Sequence, residues 1–359
     1  MSLLEDARKQ INEVDKEIAR LFEKRMQAVE DVARYKQEHA LPVLDQSREQ
    51  EVLDRNVNYI ENEKYKDSYL SMMKDMMRIS RNYQQSLLHK EVVGYQGVEG
   101  AFSSIAAKHL FPHYKKRSYT SFEDVIKAVI SGEIAYGVLP VENSYSGEVG
   151  EVIDLLMKYE QVYIQQIYDL KISQNLLGIK GAKLEDIQQV YSKDQAISQS
   201  KQFLEGRGYE LISYPNTAMA AEYVARMQDK TKAAIGAKEN AELYGLEVLV
   251  ENINTSMQNT TRFIVVGREL TMEGNEFSVI FSVPHKAGTL VSAMNIIARQ
   301  GFNMESILSR AMKDKPWEYY FYAAIDGELK EKKAQKMLKE LQNVCESVRV
   351  AGTYKKEGK

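Results

Sequence analysis

One arginine near the start of the chain lies where only apolar side chains are expected. Arg25 falls within a series of Leu, Ile, Val and Ala residues, spaced three or four apart, that runs from Leu4 to Tyr35. A guanidinium that faces a helical interior is unfavourable unless an anion meets it. Lys36 follows eleven residues later, within about 20° of the same helical face. Two such cations could close on a small anion between them.

Other polar residues of this region recur one helical turn apart. They are Asp45, Arg48 and Glu49 in one group and Ser80 with Gln84 in another. Taken singly, each is typical of a solvated helix surface with intrahelical pairs. Arg8 is rotated by about 100° from Arg25, which suits a site on another chain. Together with Arg25 and Lys36, these residues indicate an anion-binding site.

Four short polar motifs stand in the middle of the chain, where predicted strands meet helices. They are Gly97–Ser103, Pro140–Ser144 with Ser146 and Gly147 just beyond, Ser192 with Gln199, and Asn259–Phe263. Hydroxyls, amides and glycines at helix N-termini suit carboxylate binding through backbone N–H groups. Ordinary turn chemistry explains the first motif equally well, and it lacks the full pattern of a dinucleotide fingerprint.

The elements that must position these residues fall into three zones, of which the first is helical. Residues 1–90 contain no glycine and a single proline, Pro42. The spacing predicts a helix over 4–38, about 50 Å long, which Pro42 ends. A second helix begins at Asp45 and includes Val52, Val57 and Ile60, and a third covers 66–89. So long a first helix predicts a dimer that shares helices.

The second zone, residues 92–270, alternates short apolar runs with helical stretches. Strands are predicted at 92–96, 135–141, 162–167, 188–191, 210–214, 233–236 and 264–266, and helices at 102–110, 122–130, 149–157, 195–204 and 218–227. This alternation is typical of an α/β domain with a largely parallel sheet. Its length fits either one domain or two lobes with a cleft between them.

The third zone, residues 276–355, follows a linker at 271–275. Strands are predicted at 277–283, 304–312, 317–325 and 347–354, and helices at 290–299 and 329–341. The order β-α-β-β-α-β is the split βαβ arrangement of an α+β domain. The tail, 355–359, is expected to fray.

Composition excludes several classes of protein. The chain has 359 residues, 28% of them charged, and a net charge of −3, which does not favour nucleic-acid binding. The single cysteine, Cys345, excludes an internal disulfide framework and a cysteine-cluster zinc site. No run approaches the ~20 apolar residues of a membrane span, and no signal peptide is evident. We expect a soluble, cytoplasmic protein without a metal or other cofactor.

The helical zone resembles the all-helical (AroQ-type) chorismate mutases. Arg8, Arg25, Lys36, Asp45, Arg48, Glu49, Ser80 and Gln84 stand at the positions of that family's active-site residues. A one-residue shift would put Arg81 and Gln85 in the last two roles instead. The resemblance implies a helix-swapped dimer in which Arg8 crosses into the partner's site. The arginines would bind the carboxylates of chorismate, Lys36 and Gln84 would donate to its ether oxygen, Glu49 would accept its hydroxyl, and Asp45 would orient its neighbours.

The α/β zone resembles prephenate dehydratase, through Thr261-Arg262-Phe263 together with Glu142-Asn143-Ser144. The resemblance implies two α/β lobes, arranged as in type II periplasmic binding proteins, that close on prephenate. Thr261 would be the acid that assists loss of the ring hydroxyl, and Arg262 would supply positive charge or fix its loop. The implied binding residues are Glu142, Asn143, Ser144, Ser192, Gln199, Thr217, Thr261, Arg262 and Phe263.

The last zone is similar to ACT regulatory domains. The turn Gly288-Thr289-Leu290 and the strand that begins at Asn303 match the elements with which such domains bind an amino acid. Ser309 and Arg310 match the family's Glu-Ser-Arg-Pro motif, whereas Leu308 and Ala311 replace its acidic residue and proline. The resemblance implies feedback by L-phenylalanine, and the alternative is a domain used only for dimerisation.

The order of the three zones resembles the bifunctional chorismate mutase–prephenate dehydratase family of phenylalanine biosynthesis. The resemblance implies chorismate, prephenate and L-phenylalanine as ligands and a homodimer or homotetramer as the assembly. A rival interpretation is a non-catalytic sensor built from a coiled-coil dimeriser and two ligand-binding modules, against which Arg25 argues. A nearer rival is a dehydratase that prefers arogenate, the aminated form of prephenate.

Overall fold

The computed structural model describes residues 3–39, 41, 43–88, 92–256, 258–312 and 315–355, without the side chains of 37, 46, 85, 86 and 88. Pro42, the side chain of Gln85, residues 1–2 and 89–90 of the predicted helical domain, and the tail at 356–359 lie outside the described residues. The chain divides into two units, Met1–Glu91 and Val92–Lys359.

The first unit is helical, as the sequence predicts. It contains α1 (Leu3–Glu38), α2 (Gln46–Asn56), a 3₁₀ turn (Val57–Tyr59) and α3 (Glu63–Leu88). The second predicted helix extended to Ile60, but α2 ends at Asn56 because the next three residues tighten into the 3₁₀ turn. Although α1 and α3 are long, no helix within the described residues is apolar enough to cross a membrane.

The two halves of α1 have different surroundings. Val29 and Ala33 in the second half are buried, as are Met73 and Met77 on α3. In the first half, the apolar residues are at least half exposed, and we call this set the α1 stripe: Leu4, Ile11, Val14, Ile18 and Leu21. The 3-4 spacing therefore correctly predicts the helix, but within one chain only its second half has a partner.

The second unit begins with an α/β region. Its elements are β1 (Val92–Gln96), α4 (Phe102–Leu110), β2 (Lys115–Tyr119), α5 (Phe122–Ser131), β3 (Tyr136–Asn143), β4 (Gly147–Glu148), α6 (Gly150–Lys158), β5 (Tyr163–Lys171), β6 (Asn175–Ile179), a 3₁₀ turn (Leu184–Asp186), β7 (Gln189–Ser192), α7 (Asp194–Gln199), α8 (Lys201–Leu204), β8 (Glu210–Ser213), α9 (Thr217–Met227), β9 (Lys232–Gly236), α10 (Glu239–Tyr244), β10 (Leu246–Val250) and β11 (Thr260–Gly267).

These strands form two sheets, and the expectation of a largely parallel sheet is wrong for about half of each. The first contains the order β5-β11-β3-β1-β2, and the second has the order β10-β6-β9-β7-β8. In the first, β11 is antiparallel to β3 and β5; in the second, β6 is antiparallel to β9 and β10. The antiparallel pairings involve the strands at which the chain crosses between the sheets. It passes from β5 to β6 and returns from β10 to β11. We call residues 92–171 with 260–267 the first lobe and residues 175–250 the second lobe.

The C-terminal module, residues 276–354, has the predicted β-α-β-β-α-β order. Its elements are β12 (Glu276–Ser282), α11 (Thr289–Arg299), β13 (Asn303–Ala311), β14 (Tyr319–Asp326), α12 (Lys332–Gln342) and β15 (Ser347–Tyr354). Alternation along β12 sends Phe277 and Phe281 towards α11 and α12 and sends Ile280 to the opposite face, against the core of the first lobe. The module and the lobe thus share a core.

The junction between module and lobe includes one close backbone approach. Gly352 on β15 pairs in parallel with Ile164 on β5, so that ten strands of the described chain form one continuous sheet. A Cβ atom on Gly352 would overlap the backbone carbonyl oxygen of Ile164. Glycine is needed here because no side-chain rotation can relieve a clash with a backbone atom.

We predict that Gly352→Ala destabilises the second unit by about 1–3 kcal/mol, the usual cost of overpacking. Urea denaturation followed by circular dichroism measures the change. Gly267→Ala is the matched control, because the nearest atoms there belong to the amide end of Gln165, which can rotate away. Equal stability of the two variants would contradict the prediction.

Candidate functional sites

In the helical unit, Arg25 faces α3. Its Nη1 donates a hydrogen bond to Ser80 Oγ at 2.5 Å, and Ser80 Oγ donates to the carbonyl oxygen of Met76 at 2.7 Å. Partial burial lowers the pKa of the Arg25 guanidinium, because desolvation disfavours the charged form. A guanidinium nonetheless stays protonated at physiological pH. The partly buried Arg25 guanidinium thus lies between α1 and α3.

Two more of the predicted residues, Gln84 and Lys36, are at least partly buried. Gln84 lies one turn beyond Ser80 and is only 7% exposed, and its Oε1 has no hydrogen-bond partner among the described residues. Lys36 is half-buried, and its Nζ donates to the carbonyl oxygen of Val43 at 2.5 Å. A buried amide without a full set of partners is available to a ligand.

The residues of α2 have more varied roles. Asp45 is the N-cap: its Oδ1 accepts from the backbone N–H of Arg48 at 3.0 Å and from the hydroxyl of Ser47 at 2.7 Å. These bonds lower the pKa of the Asp45 carboxyl. Arg48 is exposed and donates to Glu51, whereas Glu49 forms an ion pair with Arg81 of α3. This ion pair joins Glu49 and Arg81, two residues that the sequence analysis treated separately.

The two possible registers on α3 differ in burial. Ser80 and Gln84 face the interior, whereas Arg81 is partly exposed, and the side chain of Gln85 lies outside the described set. Arg8 is exposed and precedes Arg25 by seventeen residues, which is about 25 Å along a helix. The structure of one chain therefore does not bring Arg8 to the other predicted residues.

In the α/β region, Asn143 is the centre of a hydrogen-bond network at the end of β3. Its Oδ1 accepts from the backbone N–H groups of Tyr145 and Ser146, both at 3.0 Å, and lies 3.1 Å from Ser146 Oγ. Its Nδ2 donates to Asn259 Oδ1 at 2.9 Å and to Thr261 Oγ1 at 2.8 Å. Since several donors fix the amide oxygen, the amide nitrogen must face β11.

This arrangement fixes the role of the Thr261 hydroxyl. An amide N–H can only donate, so Thr261 Oγ1 is the acceptor of the bond from Asn143. The O–H of Thr261 therefore points away from Asn143, and among the described residues no acceptor is recorded for it. The site thus holds a hydroxyl whose proton can be given to a ligand.

Arg262, the next residue on β11, is bound to an acidic neighbour. It donates two hydrogen bonds of 2.8 Å to the carboxylate of Asp169 on β5, and its Nη1 lies 4.0 Å from Glu142. The paired carboxylate raises the pKa of Arg262. The sequence did not predict Asp169, which lies 93 positions away in the chain. This bidentate ion pair holds β11 to β5, and it leaves little of the charge of Arg262 free for a ligand.

Two buried amides lie together in the second lobe and its connection. Gln174, 2% exposed, donates from Nε2 to Oε1 of Gln199 at 3.1 Å, and Gln199 is itself 3% exposed. Because Gln174 occupies the oxygen of Gln199, the amide nitrogen of Gln199 remains as a donor. Gln174 and Asn259 were missed as individual residues; Asn259 stood in a recognised motif, whereas nothing marked Gln174.

The remaining predicted residues of this region divide into partly accessible and buried ones. Ser144 is exposed, whereas Thr217, the first residue of α9 after the cap Asn216, is only 7% exposed. Ser192 is 0% exposed, and its hydroxyl donates to the carbonyl oxygen of Ile235 at 2.7 Å, so it ties β7 to β9. Ser192 was predicted to bind substrate, but its side chain is not accessible.

The structure does not support the prediction that Phe263 binds the substrate. Phe263 is 1% exposed and belongs to the hydrophobic core of the first lobe with Val93, Tyr95 and Val138. The register of β11 against β3 shifts between Arg262 and Phe263. The residue that this shift leaves unpaired is Val141 on β3, whereas β11 pairs in regular register with β5 from Thr261 to Val265, and the side chain of Phe263 lies among core residues of β1, β3 and β5. The aromatic residue therefore packs behind the site and does not line it.

The C-terminal module has a cavity of about 380 Å³ beside the N-terminus of α11. Its lining includes the predicted residues Gly288, Thr289 and Leu290, with Tyr319 and Phe321 from β14. The Thr289 hydroxyl donates to the carbonyl oxygens of Pro284 and Lys286, at 2.7 and 2.8 Å, which fixes the turn. Asn303, Ser309 and Arg310 do not line this cavity.

Arg310 contacts the first lobe instead, which corrects its prediction as a ligand residue. It donates two hydrogen bonds, 2.9 and 3.1 Å long, to the carboxylate of Asp154 on α6, and Tyr320 donates a third at 2.6 Å. Ser309 and Asn303 are exposed on the edge strand β13, where Asn303 donates to Glu305. Arg310 is thus part of the interface with α6.

The chain matches two family models that together cover most of its length. One, described as chorismate mutase type II, matches residues 7–85, and the other, described as prephenate dehydratase, matches residues 93–271. A relative from Enterobacter agglomerans, named bifunctional chorismate mutase/prephenate dehydratase, is 30% identical over 98% of this chain and 95% of its own.

Two solved structures resemble the second unit. A prephenate dehydratase from Arthrobacter aurescens, solved in complex with L-Phe, has a TM-score of 0.68 and is 23% identical over 74% of this chain and 90% of its own. A protein described as a quorum quenching acylase has a TM-score of 0.69 and is 27% identical over 74% of this chain and 97% of its own. Since one fold hosts several reactions, the fold alone does not decide the chemistry.

The helical unit and the α/β region each match one catalytic family, in the order in which the full-length relative has them. The chain belongs to the family of bifunctional chorismate mutase/prephenate dehydratases.

We predict that Asp154→Ala lowers the free energy of unfolding of the second unit by about 1–3 kcal/mol, the usual range for losing hydrogen bonds to a charged group. The reason is that Arg310 and Tyr320 both lose their acceptor. Urea denaturation measures it, with Glu151→Ala, an exposed carboxylate on the same helix, as control. A loss no greater than that of the control would show that the pair is dispensable.

Proposed function

We propose that each of the two reactions has its own site, one around Arg25 in the helical unit and one around Asn143 and Thr261 in the α/β region. The enzyme converts chorismate to prephenate and then prephenate to phenylpyruvate. The observation that carries the first assignment is the half-buried Arg25 beside Ser80 and Gln84. The second rests on the Thr261 hydroxyl, which accepts from Asn143 and keeps its own proton to donate.

Rearrangement of chorismate is pericyclic, so the first site needs no acid, base or nucleophile. Arg25 and Arg48 bind the two carboxylates and hold the compact conformer, an orientation effect. Lys36 and Gln84 donate to the ether oxygen as its C–O bond breaks and negative charge develops there. Glu49 accepts the substrate hydroxyl, with Arg81 holding its carboxylate in place, and Asp45 starts the helix that carries both Arg48 and Glu49.

A homodimer completes this site. The α1 stripe offers apolar side chains that are at least half exposed over the first half of α1. Burial of such a stripe against a second copy is the usual way to stabilise a long helix. In a helix-swapped dimer, Arg8 of one chain reaches the site of the other, which agrees with its distance from Arg25 within one chain.

The dehydratase reaction takes place between the two lobes, in a cleft like that of type II periplasmic binding proteins. Thr261 gives its proton to the ring hydroxyl of prephenate, which leaves as water, and the Thr261 oxygen regains a proton from solvent. As that C–O bond breaks, the bond from the ring to its carboxylate also breaks, and its electron pair enters the ring as carbon dioxide departs. Aromatisation drives the step, so a well-placed neutral donor is sufficient.

Other polar groups hold the substrate in that cleft. Gln199 presents its amide nitrogen because Gln174 occupies its oxygen. Glu142, Ser144 and Thr217 lie at the ends of β3 and at the start of α9, where they can reach polar groups of the substrate. Arg262 holds the β11 loop through Asp169 and contributes positive charge at the edge.

The C-terminal module acts as an ACT regulatory domain that binds L-phenylalanine in feedback inhibition. The cavity beside Gly288, Thr289 and Leu290 supports this role, because its aromatic and apolar lining suits a phenyl ring and the N-terminus of α11 suits a carboxylate. The relative from Arthrobacter aurescens is described as a complex with L-Phe. Arg310 takes no part in binding here and serves the contact with α6.

We expect Arg25→Ala to lower the mutase rate about 100-fold, the usual effect of losing a charge-stabilising donor. Thr261→Val, which keeps the shape and removes the hydroxyl, should lower the dehydratase rate about 100-fold, since it removes the proton donor. The measurement follows chorismate loss and phenylpyruvate formation separately, starting from each substrate.

Each variant is the control for the other, because both activities belong to one polypeptide. Arg25→Ala should keep dehydratase activity on added prephenate, and Thr261→Val should accumulate prephenate from chorismate. Thr261→Ser, which retains the hydroxyl, should recover most of the lost rate. Wild-type protein that accumulates prephenate but turns over arogenate would assign the α/β region the aminated substrate instead.

We also expect L-phenylalanine to inhibit the dehydratase, and Thr289→Val to raise the concentration for half inhibition about tenfold, which corresponds to about 1.4 kcal/mol of binding free energy. The reason is that the Thr289 hydroxyl holds the turn beside the cavity. Ser292→Ala, on the same helix and bonded only to its own helical turn, should keep wild-type sensitivity. Inhibition that is unchanged in Thr289→Val would move the site elsewhere.

A further inference from the structure

A side chain of the second lobe is bonded directly to the network around Asn143. Gln195 lies on α7 in the second lobe, and its Nε2 donates to Ser146 Oγ at 2.8 Å. Ser146 lies in the turn between β3 and β4, on the first lobe. The two residues therefore form a bridge between the lobes, which we call the Gln195–Ser146 bridge. Neither is among the residues to which a role is proposed above.

The bridge sets the direction of the next hydrogen bond. Because Gln195 Nε2 can only donate, Ser146 Oγ accepts from it and keeps one proton to donate. The available acceptor is Asn143 Oδ1, 3.1 Å away. The order of donation is therefore Gln195 to Ser146, Ser146 to Asn143, and Asn143 to Thr261.

Each step of this series leaves the next group in one orientation. A donated bond at Asn143 Oδ1 keeps the amide oxygen turned towards the 144–146 turn, so that Nδ2 faces Thr261. That bond in turn occupies the lone pair of Thr261 that faces Asn143. The proton of Thr261 is thereby aimed away from the strand. Hydrogen bonds in such a series polarise and strengthen one another.

We propose that Gln195 and Ser146 are positioning residues for the dehydration step, and that their bridge between the lobes aligns Thr261 for proton donation only while the cleft is closed. This inference rests on the proposed role of Thr261. Neither residue touches the substrate, so removing the bridge lowers kcat for prephenate and leaves KM nearly unchanged. A donor left free to rotate is a common cause of a tenfold or larger loss of rate.

The test compares Gln195→Ala, Ser146→Ala and the double variant in the full-length protein. Each single variant should lower the dehydratase kcat about tenfold, and the double variant should be no worse than either, because all three remove the same bridge. Ser146→Thr retains the hydroxyl and should recover activity. Gln195→Glu preserves the size but replaces the donor by an acceptor, and it should lose as much as Gln195→Ala.

The controls separate this inference from the proposed function and from misfolding. Ser198→Ala and Gln202→Ala alter exposed residues of the second lobe, close to Gln195 in sequence, and should keep the wild-type kcat. Urea denaturation of each preparation, followed by circular dichroism, reports the folding of the second unit independently. If Thr261→Val is inactive but the bridge variants match the controls, the inference is wrong and the proposed function stands.

Three further outcomes are equally decisive. Losses that multiply in the double variant would mean that the two residues act independently, which overturns the bridge. A Thr261→Val variant that retains full activity would remove the proposed proton donor, whatever the bridge variants do. A rise in KM without a fall in kcat would assign Gln195 and Ser146 to substrate binding instead of positioning.

Discussion

The orientation of one amide, that of Asn143, determines the geometry of the α/β site. Its oxygen is fixed by donors of the 144–146 turn and its nitrogen by acceptors on and before β11, at 2.8 Å from Thr261 Oγ1. Reversing the amide would set donors against donors on one side and acceptors against acceptors on the other. The cost of leaving such buried groups unpaired exceeds the net value of the bonds themselves. β3 and β11 are therefore constrained together, and the hydroxyl of Thr261 follows from them.

The helix that follows this turn is held by the C-terminal module. α6 begins four residues after Ser146, and Asp154 at its middle accepts hydrogen bonds from Arg310 and Tyr320. Near its C-terminal end, the carbonyl oxygens of Leu156 and of the cap residue Tyr159 accept hydrogen bonds from Arg349 on β15. Gly150 at its start leaves room for the Arg310 guanidinium, which a Cβ would displace. One helix thus connects the module with the turn that orients Asn143.

The periodicity of apolar residues made much of the fold predictable. Several features that were not predicted depend on contacts between residues far apart in the chain. The 3-4 spacing predicted α1, and the order of C-terminal elements was correct, because both depend on local pattern. β2 was missed because an edge strand can be polar, as Lys115–Tyr119 is. Arg310 matched a motif, but its partner Asp154 lies 156 positions away. Phe263 lies two residues after Thr261 in sequence, yet it packs against Val93, Tyr95 and Val138 in the core of the first lobe. No spacing rule reveals such partners.

The groups around Thr261 share a property that relates the architecture to the chemistry. Asn143, Asn259, Ser146, Gln174 and Gln199 are neutral amides and a hydroxyl, and none of them titrates in the physiological range. Arg262, the residue that follows Thr261 on β11, has its pKa raised by Asp169 and remains charged. Neutral groups of this kind act through the directions of their hydrogen bonds, so the activity depends on where the donors point. Orientation in turn depends on contacts from both lobes, since β11 and β3 belong to one and Gln195 and Gln199 to the other. For a reaction driven by aromatisation, in which one proton must be given at one place, control by geometry is sufficient.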